Sequence, residues 1–179
     1  MKSIAVYCGS SIGASEEYRQ GAIDLGKEIA RRGITLVYGG ASVGLMGVIA
    51  DTVLKEGGEA IGVIPTVLGD KEIAHQQLTT LYTVDSMHER KAKMAELADG
   101  FIAMPGGPGT MEEFFEMFTW AQIGIHQKPI GLLNLHHYYD PMSHLLDHMV
   151  SEGFMQQANR DLAVITEHPA QLLDQLSRV

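Results

Sequence analysis

The sequence predicts one α/β domain: a single Rossmann-like, doubly wound, mostly parallel sheet with helices on both faces. Three observations predict it. Short apolar runs alternate with longer segments whose apolar residues recur at helical spacing. Glycine clusters stand where the candidate strands end, and no Pro/Ser-rich linker or internal repeat divides residues 1–179. Strands separated by helices pair in parallel and need both faces covered.

In chain order, Lys2 to Cys8 reads as a strand. Ser15 is placed to cap a helix carrying Tyr18, Ala22, Leu25 and Ile29, with Gly33 as its stop. Ile34 to Tyr38 is a second strand, Leu45 to Glu56 a helix, and Ala60 to Ile64 a strand closed by Pro65. Thr66 to Gln77 reads as loop with a short helix. Leu78 to Val84 is a strand, Ser86 to Ala98 a helix and Phe101 to Met104 a strand. A helix follows over Thr110 to Gly124, then a strand from Pro129 to Leu135 and a helix from Tyr139 to Glu152. Leu162 to Thr166 and Pro169 to Leu176 supply the last strand and helix.

The formal charge of −9 weighs against a nucleic-acid polymer as partner, which needs a basic face. The apolar run of the N-terminus is too short for a signal peptide, and Gly9 breaks it. No run approaches the ~20 apolar residues that cross a bilayer, so no membrane association is expected. One cysteine forms no internal disulfide, and the expected compartment is cytoplasmic.

Ligands of such sheets lie at the carboxyl ends of the strands. Three glycine clusters fall there: Cys8-Gly9-Ser10-Ser11, Tyr38-Gly39-Gly40 through Gly47, and Pro105-Gly106-Gly107-Pro108-Gly109-Thr110. In the third, glycines and a helix start combine close backbone approach with free amides, the recipe for holding a phosphate. It is no Walker loop, because no Gly-Lys-Ser/Thr follows, and no dinucleotide fingerprint, because Glu112 replaces the third glycine. Ser10, Gly39 and Gly40, with Gly106, Gly107, Pro108, Gly109, Thr110, Met111 and Glu112, are the candidate substrate contacts. An ordinary tight turn is the alternative.

On the Ser86–Ala98 helix, Met87, Met94 and Ala98 form one apolar stripe, and Arg90 and Lys91 flank it. Cations turned toward a core need an anion or a cavity. Snorkelling or a structural salt bridge would serve as well as a substrate contact. Cys8 reads as packing. His144 and His148 lack the glutamate of a zinc helix motif, and no cluster has metal-ligand spacing, so neither metal nor cofactor is expected. His136 and His137 read as the end of a strand.

Pro105-Gly106-Gly107-Pro108-Gly109-Thr110-Met111-Glu112-Glu113, together with Met87-His88-Glu89-Arg90-Lys91, Tyr38-Gly39-Gly40, Gly44-Leu45-Met46-Gly47 and Trp120 to His126, resembles the motif set of the Lonely guy (LOG) family over nearly the whole chain. Pro108 stands where an aromatic is common in that family, and Ala41 where a third glycine is common. The resemblance implies hydrolysis of cytokinin riboside 5′-monophosphates, and often AMP, to free base and ribose 5-phosphate. It implies Arg90 and Glu113 as the catalytic pair, with substrate contacts from Lys91, Gly107 to Thr110 and Thr119, and a further one from Glu72. It also implies a homodimer. The family often carries the label "possible lysine decarboxylase", but no lysine here stands in the context of a Schiff base to pyridoxal phosphate.

Glycosidic cleavage develops positive charge on the ribose, which a carboxylate such as Glu113 can stabilise, or it can activate water. Thr110-x-x-Glu113 also has the spacing of a capping box, in which the glutamate serves the backbone instead. The alternative to a hydrolase is a non-catalytic nucleotide- or cofactor-binding carrier of the same fold.

Overall fold

The computed structural model describes residues 1–68 and 74–178. Its elements run β1 (Ser3–Tyr7), α1 (Glu16–Arg31), β2 (Thr35–Tyr38), α2 (Gly44–Lys55), β3 (Ala60–Pro65), β4 (Thr80–Val84), α3 (Met87–Leu97) and β5 (Phe101–Ala103). They continue with α4 (Pro108–Gln122), β6 (Ile130–Leu133), α5 (Asp140–Ser151), α6 (Gln157–Arg160), β7 (Ala163–Thr166) and α7 (Pro169–Leu176). The described strands form one sheet, in the order β4-β3-β2-β1-β5-β6-β7. Every pairing between these described strands is parallel, so the expectation of a mostly parallel sheet becomes an entirely parallel one.

The strands are continuous apolar runs because both of their faces are buried. Along β1, Ile4 and Val6 point to one face, while Ala5 and Tyr7 point to the other. The first face is covered by α1, α2 and α7, whose Leu25, Ile49 and Leu172 are wholly buried there. The second carries α3, α4 and α5 through Met94, Phe114 and Leu146. The chain builds outward from β1 to β4, then returns to lay β5 on the other side of β1. This reversal leaves a crevice at the carboxyl ends of β1 and β5, where doubly wound sheets take their ligands.

Local signals explain most boundaries. Ser15 caps α1, its hydroxyl accepting the Glu17 N–H at 3.2 Å. Ser86 caps α3 in the same way through Glu89. Three details differ from expectation. The helix placed at Thr110 starts two residues earlier, because Pro108 occupies its first position, where a fixed φ and a missing N–H cost nothing. His136 and His137 do not merely end a strand: they lie in a 3-10 turn (Leu135–His137) with φ of 51° and 58°. The four-residue α6 is too short to announce itself by periodicity.

Candidate active site

Three loops meet at the crevice and are stitched together through their backbones. The Gly9 N–H donates to the Pro105 carbonyl at 3.1 Å, and the Leu45 N–H donates to the Gly9 carbonyl at 3.0 Å. Gly44 has φ of +58°, and a Cβ there would fall 2.2 Å from the Ser10 carbonyl carbon. Only glycine allows that approach.

The crevice has two lobes. The larger, about 460 Å³, opens on the side of α3 and α4. Ser10, Gly39, Arg90, Gly107, Pro108, Gly109, Thr110, Glu112 and Glu113 all line it. Residues far apart in sequence thus share one cavity. The Gly109 and Thr110 amides belong to the first turn of α4, where N–H groups have no acceptor within the helix. Open space surrounds the Cα atoms of Gly107 and Gly109, so an anion can approach the backbone closely. The smaller lobe, about 350 Å³, lies between Ile12, Tyr18, Leu45, Gly106 and Tyr138, and shares Gly9, Ser10 and Gly107 with the larger one.

Arg90 is 5% exposed. Its Nε donates to the Val63 carbonyl at 3.0 Å and its Nη2 to the Gly39 carbonyl at 2.7 Å. These acceptors lie on β3 and just past β2, so the planar fork of a guanidinium ties two strand ends together. Gly39 must be glycine for this: a Cβ would stand 2.1 Å from Nη2. The neighbouring Gly40 does not line the cleft. Its carbonyl accepts the His75 N–H at 2.9 Å, and the buried His75 ring bonds Asp51 at 2.8 Å. The ring's Nδ1 accepts from the Gln77 N–H, which places the hydrogen of a neutral imidazole on Nε2.

Glu113 is the sixth residue of α4, counted from Pro108, and the N-cap is Gly107. The capping-box alternative therefore fails, because Thr110 stands inside the helix and Glu113 is beyond reach of its first amides. For the same reason the helix dipole, which fades within the first turn, does little to favour its charge.

Lys91 is not among the residues that line either lobe. Its ammonium lies 2.5 Å from Glu112 and 3.2 Å from Glu116, stapling α3 to α4. Burial alone would lower its pKa, but the two carboxylates outweigh that and raise it. Its charge, and the tie that depends on it, would therefore be lost only in strongly alkaline solution. Met111 packs into the core beneath α4, and Thr119 is exposed farther along that helix, outside the lining of the cleft. Glu72 lies outside the described residues.

Several lining groups carried no signal of their own. Tyr7, Met46 and Leu68 wall the larger lobe, as do Met87 and Met94, which the helical pattern assigned to a core stripe. Because Arg90 flanks that stripe, the pattern held a clue that part of it faces a cavity. Burial, with the charge of Glu113 added, pushes the Tyr7 hydroxyl and the Cys8 thiol well above their ordinary pKa values. Cys8 is thus held as an unreactive thiol.

A family model described as possible lysine decarboxylase matches residues 46–176. The cytokinin riboside 5′-monophosphate phosphoribohydrolase LOG of Oryza sativa subsp. japonica is 49% identical over 163 residues, which are 91% of this chain and 67% of that protein. LOG1 of Arabidopsis thaliana, named for the same activity, is 46% identical over 175 residues, covering 98% of this chain and 82% of its own length. Among solved structures, a molybdenum cofactor binding protein from Rippkaea orientalis superposes with a TM-score of 0.71 at 21% identity, over 98% of this chain and 95% of that one. That last likeness is one of fold.

Proposed function

The chain belongs to the LOG family, and from that premise and the geometry of the crevice we propose that it hydrolyses the N-glycosidic bond of nucleoside 5′-monophosphates. The substrates in this reading are AMP and cytokinin riboside 5′-monophosphates, and the products are free base and ribose 5-phosphate. One observation carries it: Arg90, Glu113 and the open amides of Gly109 and Thr110 face a single cavity. The 5′-phosphate sits on the start of α4, which places the ribose farther along α4, toward Glu113. The C1′–N bond breaks, water supplies its oxygen to C1′, and a proton of that water ends on the base. Glu113 stabilises the cationic ribose or activates the water, and the Arg90 guanidinium, a donor-only group, stabilises charge rather than moving a proton.

A lysine decarboxylase would hold pyridoxal phosphate on a lysine amine. Among the described residues, none that lines either lobe is lysine, and Lys91 is engaged by two glutamates. The described site does not fit that cofactor.

The test is to incubate the purified protein with AMP, N6-prenylated AMP and adenosine, with and without EDTA. The nucleotides should release base and ribose 5-phosphate, unaffected by EDTA, while adenosine reacts far more slowly. Equal rates for AMP and adenosine would contradict the phosphate site.

The reading extends to a cytoplasmic homodimer. No described helix is long and apolar enough to cross a membrane. Ile123, Ile125, Leu145 and Phe154 are 65%, 61%, 48% and 86% exposed. They stand on or just beyond α4 and α5, which cover the same face of the sheet, and apolar exposure of this kind marks contact surfaces. Light scattering should give about twice the 19.5 kDa chain mass. A concentration-independent monomer would contradict the dimer.

A further inference from the structure

We propose that Tyr138 is a positioning residue for the phosphate loop, locking the Gly106–Gly107 peptide plane so that its amide faces the substrate anion. The inference rests on the phosphate site proposed above.

The Tyr138 hydroxyl donates to the Gly106 carbonyl at 2.5 Å, across 32 residues of sequence. A trans peptide is planar, with its carbonyl and the following N–H on opposite edges. Holding the Gly106 oxygen at Tyr138, in the smaller lobe, therefore turns the Gly107 N–H away from Tyr138, toward the larger lobe. Gly107 is the N-cap of α4 and lines both lobes, so its amide joins those of Gly109 and Thr110 around one anion. Without the tether this peptide is the easiest in the loop to flip, because glycine flanks it on both sides and tolerates the dihedrals of either orientation. A flip would aim a carbonyl oxygen at the phosphate.

Tyr138 is itself delivered by strain. His136 and His137 take left-handed φ values that few non-glycine residues adopt, and the chain they turn sends Tyr138 and Tyr139 onto the glycine loop. Tyr18 packs edge-on against the Tyr138 ring at 5.9 Å, and Tyr139 does so at 5.1 Å.

Tyr139 supplies the control. Its hydroxyl donates to the Met104 carbonyl at 2.6 Å, a bond of nearly the same length two residues earlier. The next residue is Pro105, which has no N–H, so this bond orients no donor. Tyr139 is 1% exposed and holds structure, whereas Tyr138 is 41% exposed.

The experiment compares wild type, Tyr138→Phe and Tyr139→Phe by calorimetric titration with ribose 5-phosphate, by melting temperature and by AMP kinetics. Tyr138→Phe should bind ribose 5-phosphate roughly ten-fold more weakly, the loss of one hydrogen bond to a charged group. Its KM for AMP should rise by a similar factor with little change in kcat, the signature of lost ground-state binding. Its melting temperature should hardly move. Tyr139→Phe should melt about 3 °C lower and bind ribose 5-phosphate as wild type does. Unchanged affinity in Tyr138→Phe, or equal losses in both variants, would overturn the positioning role. So would wild-type protein that fails to bind ribose 5-phosphate. Wild type that binds it yet leaves AMP intact would instead sink the hydrolase reading, and the affinities of the variants would still decide the role of Tyr138.

Discussion

Replacing Glu113 with glutamine should abolish most turnover of AMP while leaving the fold and the phosphate site intact. Glutamine keeps the size of the side chain and removes its charge. In hydrolysis through an oxocarbenium-like state, that charge either offsets the cationic ribose or takes a proton from water. The expected loss is at least ~10²-fold in kcat, the scale of a positioned acid–base group. The melting temperature should stay close to wild type, because Gly107 rather than Thr110 caps α4 and the glutamate has no capping duty. Affinity for ribose 5-phosphate should persist, since the first-turn amides are unchanged. Wild-type rates in Glu113→Gln would show that its presence in the cleft is incidental, and the mechanism would fall even if the substrate were right.

Arg90→Ala should cost both activity and stability. The guanidinium donates to the Gly39 and Val63 carbonyls in a buried setting. Its loss leaves these acceptors short of donors, at about 1–3 kcal/mol for each that water fails to reach. Turnover should fall by at least ~10²-fold, as for other preorganised donors at sites of developing charge. Gly39→Ala separates position from charge. It keeps the arginine, but its Cβ would lie 2.1 Å from Nη2, so the guanidinium must shift. If placement matters, Gly39→Ala should lose turnover on the scale of Arg90→Ala. Near-normal rates in Gly39→Ala beside an inactive Arg90→Ala would mean that charge alone suffices. Near-normal rates in both would remove Arg90 from the mechanism.

Much of this arrangement was legible in the sequence because it is encoded locally. The apolar run of β1, the cap at Ser15, the helix start at Ser86 and the stop at Gly33 are set by neighbours within a few residues. Pro108 misled the reading of α4 only by two residues, yet that shift decides whether Glu113 can cap the helix. Arg90 and Lys91 show where local pattern runs out. They are adjacent and flank the same stripe, but one reaches the ends of β2 and β3 while the other reaches Glu112 and Glu116. A helix turns about 100° per residue, so which flank meets the cleft depends on how α3 docks on the sheet beside α4.

By itself, then, the sequence determined the fold class, the three glycine loops at strand ends and the family, since each rests on periodicity or on short contiguous motifs. Only the tertiary structure decided that Arg90 and Glu113 share a cavity, that Lys91 braces α4, and that Tyr138 reaches Gly106. Those facts depend on the reversal of strand order at β1 and β5, which brings residues tens of positions apart within hydrogen-bond range. The positions also depend on close packing, which settles side-chain directions only once every neighbour is in place.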